Sequence, residues 1–302
     1  MTFYLAIDIG GTQIKYGLIN QDGVIVEQHK IDSHAYLGGP HILQTVKDLV
    51  KAYQKNVPLE GVAISSAGMV DPDKGEIFYS GPQIPNYAGT QFKKEIEVDF
   101  GIPCEIENDV NCAGLAEGIS GAGKDSQISL CLTIGTGIGG CLLIDKQIYH
   151  GSSNAACEVG YLPLAEGAFQ DIASTTALIK HVAELHGDDS SEWDGYRIFE
   201  EAKTGNTKCQ AAIHQLVDYL GKGIATITYV VNPEVVILGG GIMAQKGYLE
   251  PILNEALRRH LLPSLMEKTR IAFAEHENAA GMFGAFYHFA QKQGLKEGGN
   301  HD

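Results

Sequence analysis

Apolar residues in this chain follow two rhythms, and the switch between them marks its elements. Near the start, FYLAIDI (3–9), IKYGLIN (14–20) and VIVEQHKI (24–31) are parted only by the links GGTQ and QDG. Short β-rich runs joined by tight Gly-bearing links predict the antiparallel strands of a meander. Over 41–54 the spacing changes, and Leu43, Val46, Leu49 and Val50 fall on one face of a helix. The run GVAISS (61–66) is apolar and begins at Gly, as a buried central strand does; 104–107 predicts another strand and 109–119 a helix behind it.

The same order then restarts. Strands over 128–134 and 138–144 flank a second Gly-rich turn. A long helix is predicted over 208–231, where Ile213, Leu216, Val217, Leu220, Ile224, Ile227 and Val231 keep helical spacing until Asn232-Pro233 ends it. A strand over 234–238 and a last helix over 278–291 follow, and the polar tail 294–302 is expected to be disordered. The two halves read as a duplicated βββαβα unit of the α/β class, with no low-complexity linker. The expected division is a lobe of residues 1–113, to which the last helix (about 278–292) returns, and a larger lobe of 114–277.

Composition narrows the function. The 302 residues, 44% hydrophobic and 20% charged, suit a globular protein of about two domains. With 22 basic against 37 acidic residues the net charge is −15, which disfavours nucleic acid or an anionic membrane as partner. An anionic ligand held by backbone amides is still compatible with that balance. Cys104, Cys112, Cys131, Cys141, Cys157 and Cys209 contain no C-x-x-C pair and lie mostly in apolar segments, so reduced, buried thiols are expected. A strand begins at once with no basic n-region, and the longest apolar run, 129–144, is Gly-rich and too short to span a bilayer. A cytoplasmic protein is expected.

The chemistry concentrates in three places. Asp8-Ile9-Gly10-Gly11-Thr12 and Ile134-Gly135-Thr136-Gly137 each run from a strand into a Gly-rich turn and out into a strand. Successive backbone N–H groups with no Cβ in the way make a concavity for phosphate, although either turn alone could be a plain hairpin. Gly239, Gly240 and Gly241 follow the later strand and offer a third contact. Gly135, Gly137 and Gly140 also satisfy G-x-G-x-x-G, but a strand follows where a dinucleotide fold needs a helix. Gly118 to Lys124 nearly spells a phosphate-binding loop, yet Asp125 stands where Ser or Thr is required and a helix precedes it. A carboxylate inside a buried strand, as Asp8 is, costs several kcal/mol without a partner. Mg²⁺ or its water shell is a suitable one. Glu107-Asn108-Asp109 crowds three polar side chains where a strand meets a helix, more than an N-cap requires. Strand ends in α/β sheets are where ligands bind.

D-x-G-G-T, E-N-D-x-N and I-G-T-G-x-G-G, in this order, resemble the ROK family of sugar kinases (repressors, open reading frames and kinases) from Tyr4 to about Ala290. The resemblance implies an actin-like, RNase H-like ATPase fold, two lobes around a cleft that closes on sugar. It implies Asp109 as the base for the sugar hydroxyl, and its place at a helix start is expected to favour the ionised form. It places ATP phosphates on Gly10, Gly11, Thr12, Gly135, Thr136 and Gly137, and the nucleoside near Gly239, Gly240 and Gly241. Sugar contacts fall on Gly68, Asn108, Asp109, Glu158 and Tyr161, and Mg²⁺ near Asp8 through water. The chain departs from the family twice. Glu158-Val159-Gly160-Tyr161 replaces E-x-G-H, and the loop before Ala173-Ser174 has lost its zinc-binding cysteines, with Gln170 where a Glu reaches the anomeric end of the sugar. Both departures resemble the β-glucoside kinase branch, as does His276-Glu277-Asn278-Ala279-Ala280-Gly281.

The expected activity is therefore ATP- and Mg²⁺-dependent phosphorylation of the C6 hydroxyl of a β-glucoside such as cellobiose, with glucose also accepted. A glucokinase and an N-acetylmannosamine or fructose kinase are the alternatives within the family. A sugar sensor without turnover lies outside the enzymes, and the intact Asp109 and both turns argue against it. Some family members are repressors with a DNA-binding segment ahead of D-x-G-G-T, and only seven residues precede Asp8 here. The expected partners are a small sugar and ATP, without nucleic acid or membrane, and the pattern leaves room for a homodimer. No zinc is expected, since 161–174 holds neither Cys nor His and a structural zinc needs about four such ligands. Elemental analysis of dialysed protein should find well under one zinc per chain; a stoichiometric value would contradict the loss of the site.

Overall fold

Alternation along the first strand divides its side chains between two layers. In the structure, a computed structural model that describes residues 2–295, β1 (Phe3–Ile9) sends Leu5, Ile7 and Ile9 into one core and Tyr4 and Ala6 into another. It pairs antiparallel with β2 (Gln13–Asn20), and β2 with β3 (Ile25–Asp32), as the short links require. After helix α1 (Gly39–Gln54) the chain returns as β4 (Leu59–Ser66), parallel to β1. A hairpin of β5 (Met69–Asp71) and β6 (Glu76–Tyr79) and helix α2 (Phe92–Phe100) lead to β7 (Cys104–Asn108), parallel to β4. The sheet order is β3-β2-β1-β4-β7. Ile42, Val46 and Val50 of α1 and Phe92 and Ile96 of α2 cover its first face. Helix α3 (Asp109–Ser120) starts directly at the end of β7.

The order repeats in the second half. β8 (Ile128–Ile134), β9 (Ile138–Ile144) and β10 (Gln147–Ile148) form the antiparallel part. A small hairpin, β11 (Pro163–Leu164) and β12 (Gly167–Ala168), and helices α4 (Phe169–Ala173), α5 (Thr175–His186), α6 (Gly195–Lys203) and α7 (Thr207–Val231) intervene. β13 (Val235–Gly239) then joins β8 in parallel, α8 (Lys246–His260) and α9 (Pro263–Met266) follow, and β14 (Arg270–Phe273) completes β10-β9-β8-β13-β14. Three antiparallel strands followed by two parallel ones occur in both halves, which is the duplication expected from the sequence. The core of this half gathers Leu130, Leu132, Val236 and Leu238 with Ile213, Leu220 and Ile224 of α7.

The chain divides into two compact units. Of the described residues, one holds those up to Ile119, His150–Ala155 and those from Asn278 to 295; the other holds Ser120–Tyr149 and Ala156–Glu277. No described helix is long and apolar enough to cross a membrane. The tail expected over 294–302 lies outside the described residues from 296 on, and Gly294 ends the last helix in a left-handed conformation.

That helix, α10 (Ala280–Gln293), packs on the second face of the first sheet, against β1, β4 and β7. Small residues let it sit close. Gly61 on β4 lies under the Phe289 ring, Gly281 against the Asp8 carboxylate, and Gly284 against the backbone of Cys112 on α3. A Cβ at Gly284 would overlap the Cys112 carbonyl, which is backbone and cannot rotate away. Gly284→Ala should lower stability by about 1–3 kcal/mol, the usual cost of overpacking. A reduced urea midpoint checks this, and an unchanged midpoint would show that α10 is free to shift.

Candidate functional site

In the first unit the candidate residues lie at the C-terminal ends of β1, β4 and β7. Register sets Asp8 of β1 beside Ser65 of β4, and Ser65 beside Glu107 of β7. Ser65 Oγ donates to Asp8 Oδ1 at 2.8 Å, and Lys15 Nζ lies 3.4 Å from Oδ2 and donates to the Asn278 carbonyl at 3.2 Å. Burial of Asp8 therefore does not by itself demand a metal, because β2 and β4 supply a cation and a hydroxyl. Just beyond, the Gly10 N–H closes the turn on the Gln13 carbonyl at 3.0 Å, while Gly11 and Thr12 are exposed. A Cβ at Gly11 would meet nothing nearer than Gln83 at 4.0 Å, so the turn has open space over its backbone.

At the end of β7 the turn into α3 is held by side chains in sequence. Asn108 Oδ1 accepts from the N–H groups of Val110 and Asn111 at 2.9 and 3.1 Å, the capping role for which Asn is preferred. Its Nδ2 donates to the Gly68 carbonyl at 2.9 Å and to Asp109 Oδ1 at 3.0 Å. Gly68, Asn108 and Asp109 thus come together, with Gly68 at φ +92 under the Tyr79 carbonyl, a conformation suited to Gly. Glu107, fully buried, accepts from the Asn108 N–H at 2.7 Å and from Asn111 Nδ2 at 3.0 Å.

The electrostatics of Asp109 run against the helix-start expectation. Desolvation, followed by the nearby Asp8 charge, pushes its carboxyl up to about 7. The N–H of Val110 and the Asn108 amide pull the other way without prevailing. A helix start supplies only part of a charge, and that is too little against burial and a second carboxylate. Glu107 differs: burial raises it, but His150, His288 and Asn111 more than offset this, and the net shift is downward.

The second unit gathers the other candidates. Gly135 N–H donates to the Gly137 carbonyl at 3.0 Å, and the Thr175 N–H to the Gly135 carbonyl at 2.9 Å, with Thr136 exposed at the tip. Neither glycine has a positive φ, and a Cβ at Gly135 would meet nothing within 4 Å. These glycines leave space rather than relieve strain. Gly240, at φ +106, packs on the Ile134 backbone, which brings Gly239, Gly240 and Gly241 beside the same turn. Glu158 and Tyr161 flank a short helical turn whose Gly160 lies under the Ile138 carbonyl. Gln170 of α4 lies close to both, its Oε1 2.8 and 2.9 Å from where a Cβ on Gly137 or Gly160 would stand. Tyr161 is 58% exposed, so its ring does not fill a core.

Among the described residues no group of three or more His, Cys, Asp or Glu forms a metal cage. Mg²⁺ in nucleotide sites needs no such cage, since one or two carboxylates, phosphates and waters hold it. Asp8, with one oxygen only loosely engaged by Lys15, fits that limited part. Sequence reasoning overlooked Lys15, Ser65, His150, His288 and Gly281, all of which act across the fold. The one available signal was the polar end, Ser65-Ser66, of an otherwise apolar strand.

Comparison with known proteins agrees with this layout. The ROK family model matches residues 4–292. An uncharacterized protein of Clostridium perfringens is 47% identical over 291 residues, covering 96% of this chain and 99% of its own. A β-glucoside kinase of Listeria monocytogenes is 31% identical over 300 residues, covering 97% of this chain and 99% of its own. A ROK family protein from Streptococcus pneumoniae, solved in complex with sucrose, superposes with a TM-score of 0.85 at 27% identity, covering 98% of this chain and 100% of that one. The chain belongs to the ROK family, with the actin-like ATPase fold of its sugar kinases.

Proposed function

We propose that this chain is an ATP- and Mg²⁺-dependent sugar kinase that phosphorylates the C6 hydroxyl of a β-glucoside such as cellobiose and also accepts glucose. The observation that carries the reading is Asp109: a carboxylate fixed by Asn108 at a strand end, with its pKa raised to about 7. A base works best with a pKa near the operating pH, and phosphoryl transfer asks mainly for positioning and charge neutralisation. Asp109 would align the hydroxyl and take its proton late, as the bond to phosphorus forms. The turns Gly10–Gly11–Thr12 and Gly135–Thr136–Gly137 would hold ATP phosphates, with the N–H groups of Gly10 and Gly135 closing the turns themselves and Gly239–Gly241 lying toward the nucleoside. Mg²⁺, held near Asp8 through water, would offset phosphate charge. Gly68, Asn108, Glu158 and Tyr161 would bind sugar hydroxyls and ring faces. Such an enzyme would act in the cytoplasm, where ATP is supplied.

The β-glucoside assignment rests on Tyr161 and Gln170 and on the Listeria relative. An exposed ring beside Gly160 offers an apolar face to a second sugar or aglycone. Gln170 in place of a carboxylate weakens the demand for a free anomeric hydroxyl, and a site built to bond a hydroxyl rejects analogues lacking it.

Asp109→Asn should leave sugar binding largely intact and lower kcat by ~10² to 10⁴-fold, the usual share of a general base. In the wild type kcat/KM should climb through about pH 7 as Asp109 loses its proton. An ADP-release assay from pH 5 to 9 checks both, and near wild-type turnover in the variant would assign the role elsewhere. In the same assay cellobiose should match or exceed glucose, fructose and N-acetylmannosamine in kcat/KM. A deficit of about a hundredfold against any of them, roughly 2.7 kcal/mol, would leave a sugar kinase of different specificity.

A further inference from the structure

The Asn108–Asp109 turn is held from behind by a group the proposed chemistry does not use. Glu107 Oε1 takes the Asn108 N–H and Asn111 Nδ2, and Oε2 lies 2.6 Å from His150 Nε2. His150 comes from far along the chain, yet the short segment His150–Ala155 is part of the first unit. The contact joins a Glu107 side chain that is 1% exposed to a His150 side chain that is 25% exposed.

We propose that His150 is a positioning residue for the phosphoryl acceptor, acting through Glu107 to fix the turn that carries Asn108 and Asp109. The inference rests on the kinase reading above. A carboxylate with no cation on its outer oxygen would be free to rotate, and the rotation would release the Asn108 N–H and the Asn111 amide together. Asn108 also reaches Gly68 and Asp109, so loosening reaches the sugar side of the site first. The surrounding groups suit the role. On α10, His288 Nδ1 lies 3.8 Å from Glu107 Oε2, and burial holds that imidazole below its usual range. Lys292 of the same helix opposes a charge on His150, Asp73 from the turn between β5 and β6 favours it, and Cys112 on α3 and Glu105 on β7 complete the surroundings.

The hydrogen bond to Glu107 raises His150 above the ordinary imidazole value, and Glu107 is held below the usual carboxylate range. The sign follows from these directions. The Glu107 charge is lost only as pH falls through its lowered value, and the His150 charge is lost as pH rises through its raised one. Loosening of the turn is therefore expected on the alkaline side.

The test compares wild type, His150→Ala and His150→Gln with the sugar that the wild type turns over best. His150→Ala should lose on the order of 10- to 10²-fold in kcat/KM for the sugar, as small misplacements of reacting groups do, with KM for ATP unchanged. His150→Gln, which keeps a donor, should recover most of the loss and lack the alkaline decline of the wild type. Amide hydrogen exchange in the 104–115 peptide should quicken in His150→Ala and return toward wild type in His150→Gln. Equal damage to both substrates without recovery by Gln, or unchanged kinetics and exchange in His150→Ala, would overturn the proposal. Should His150→Ala fail to fold, the Gln variant and the wild-type alkaline limb decide the question. If the wild type phosphorylates no sugar, the kinase reading falls, while the exchange measurement still decides the clamp.

Discussion

Three carboxylates crowd one end of the first sheet, and among the described residues a basic partner stands beside two of them. Asp8 has Lys15 and the Ser65 hydroxyl. Glu107 has His150, with two further donors on its other oxygen. Asp109 receives dipoles alone, from Asn108 and the N–H of Val110. Burial and the Asp8 charge then raise it to about 7. Selective neutralisation is a general route to separate acid and base roles among neighbouring groups, and here it singles out one residue.

Packing makes the arrangement possible. Strand register lines up Asp8, Ser65 and Glu107 on the face that α10 covers. Buried charge on that face is tolerable only if each group is paired. Helix α10 closes the layer by close approach, with Gly281 at the Asp8 carboxylate and Gly284 at the Cys112 backbone. The same helix brings His288 toward Glu107; burial holds that imidazole below its usual range, whereas the hydrogen bond to Glu107 raises His150. Core packing and site chemistry are therefore one construction rather than a scaffold with a site added.

Local patterns made much of this legible in advance. The meander and both Gly-rich turns follow from strand period and link length, and α7 from helical spacing. The three polar residues at 107–109 announced a site because one cap would have sufficed. Part of what escaped was short or distant, although the helices α2, α5, α6 and α8, of 9 to 15 residues, were not read from the sequence either. The β5–β6 and β11–β12 hairpins and α4 are only two to five residues each, below the length at which periodicity speaks. Lys15 and His150 find their carboxylates through tertiary contact, which no local pattern encodes. The ionisation of Asp109 was judged from its helix position, a real but small effect, whereas burial and Asp8 decide the outcome.

The proton affinity of Asp109 is central to the site, and it can be measured without assuming any substrate. Carbon-detected NMR titration of ¹³C-labelled aspartate side chains, assigned with Asp109→Asn, reads it in the wild type and in Asp8→Asn. An Asp109 midpoint near 7 is expected in the wild type, and a lower one when the Asp8 charge is removed. A wild-type midpoint near the ordinary 3.8, unmoved by Asp8→Asn, would contradict this expectation.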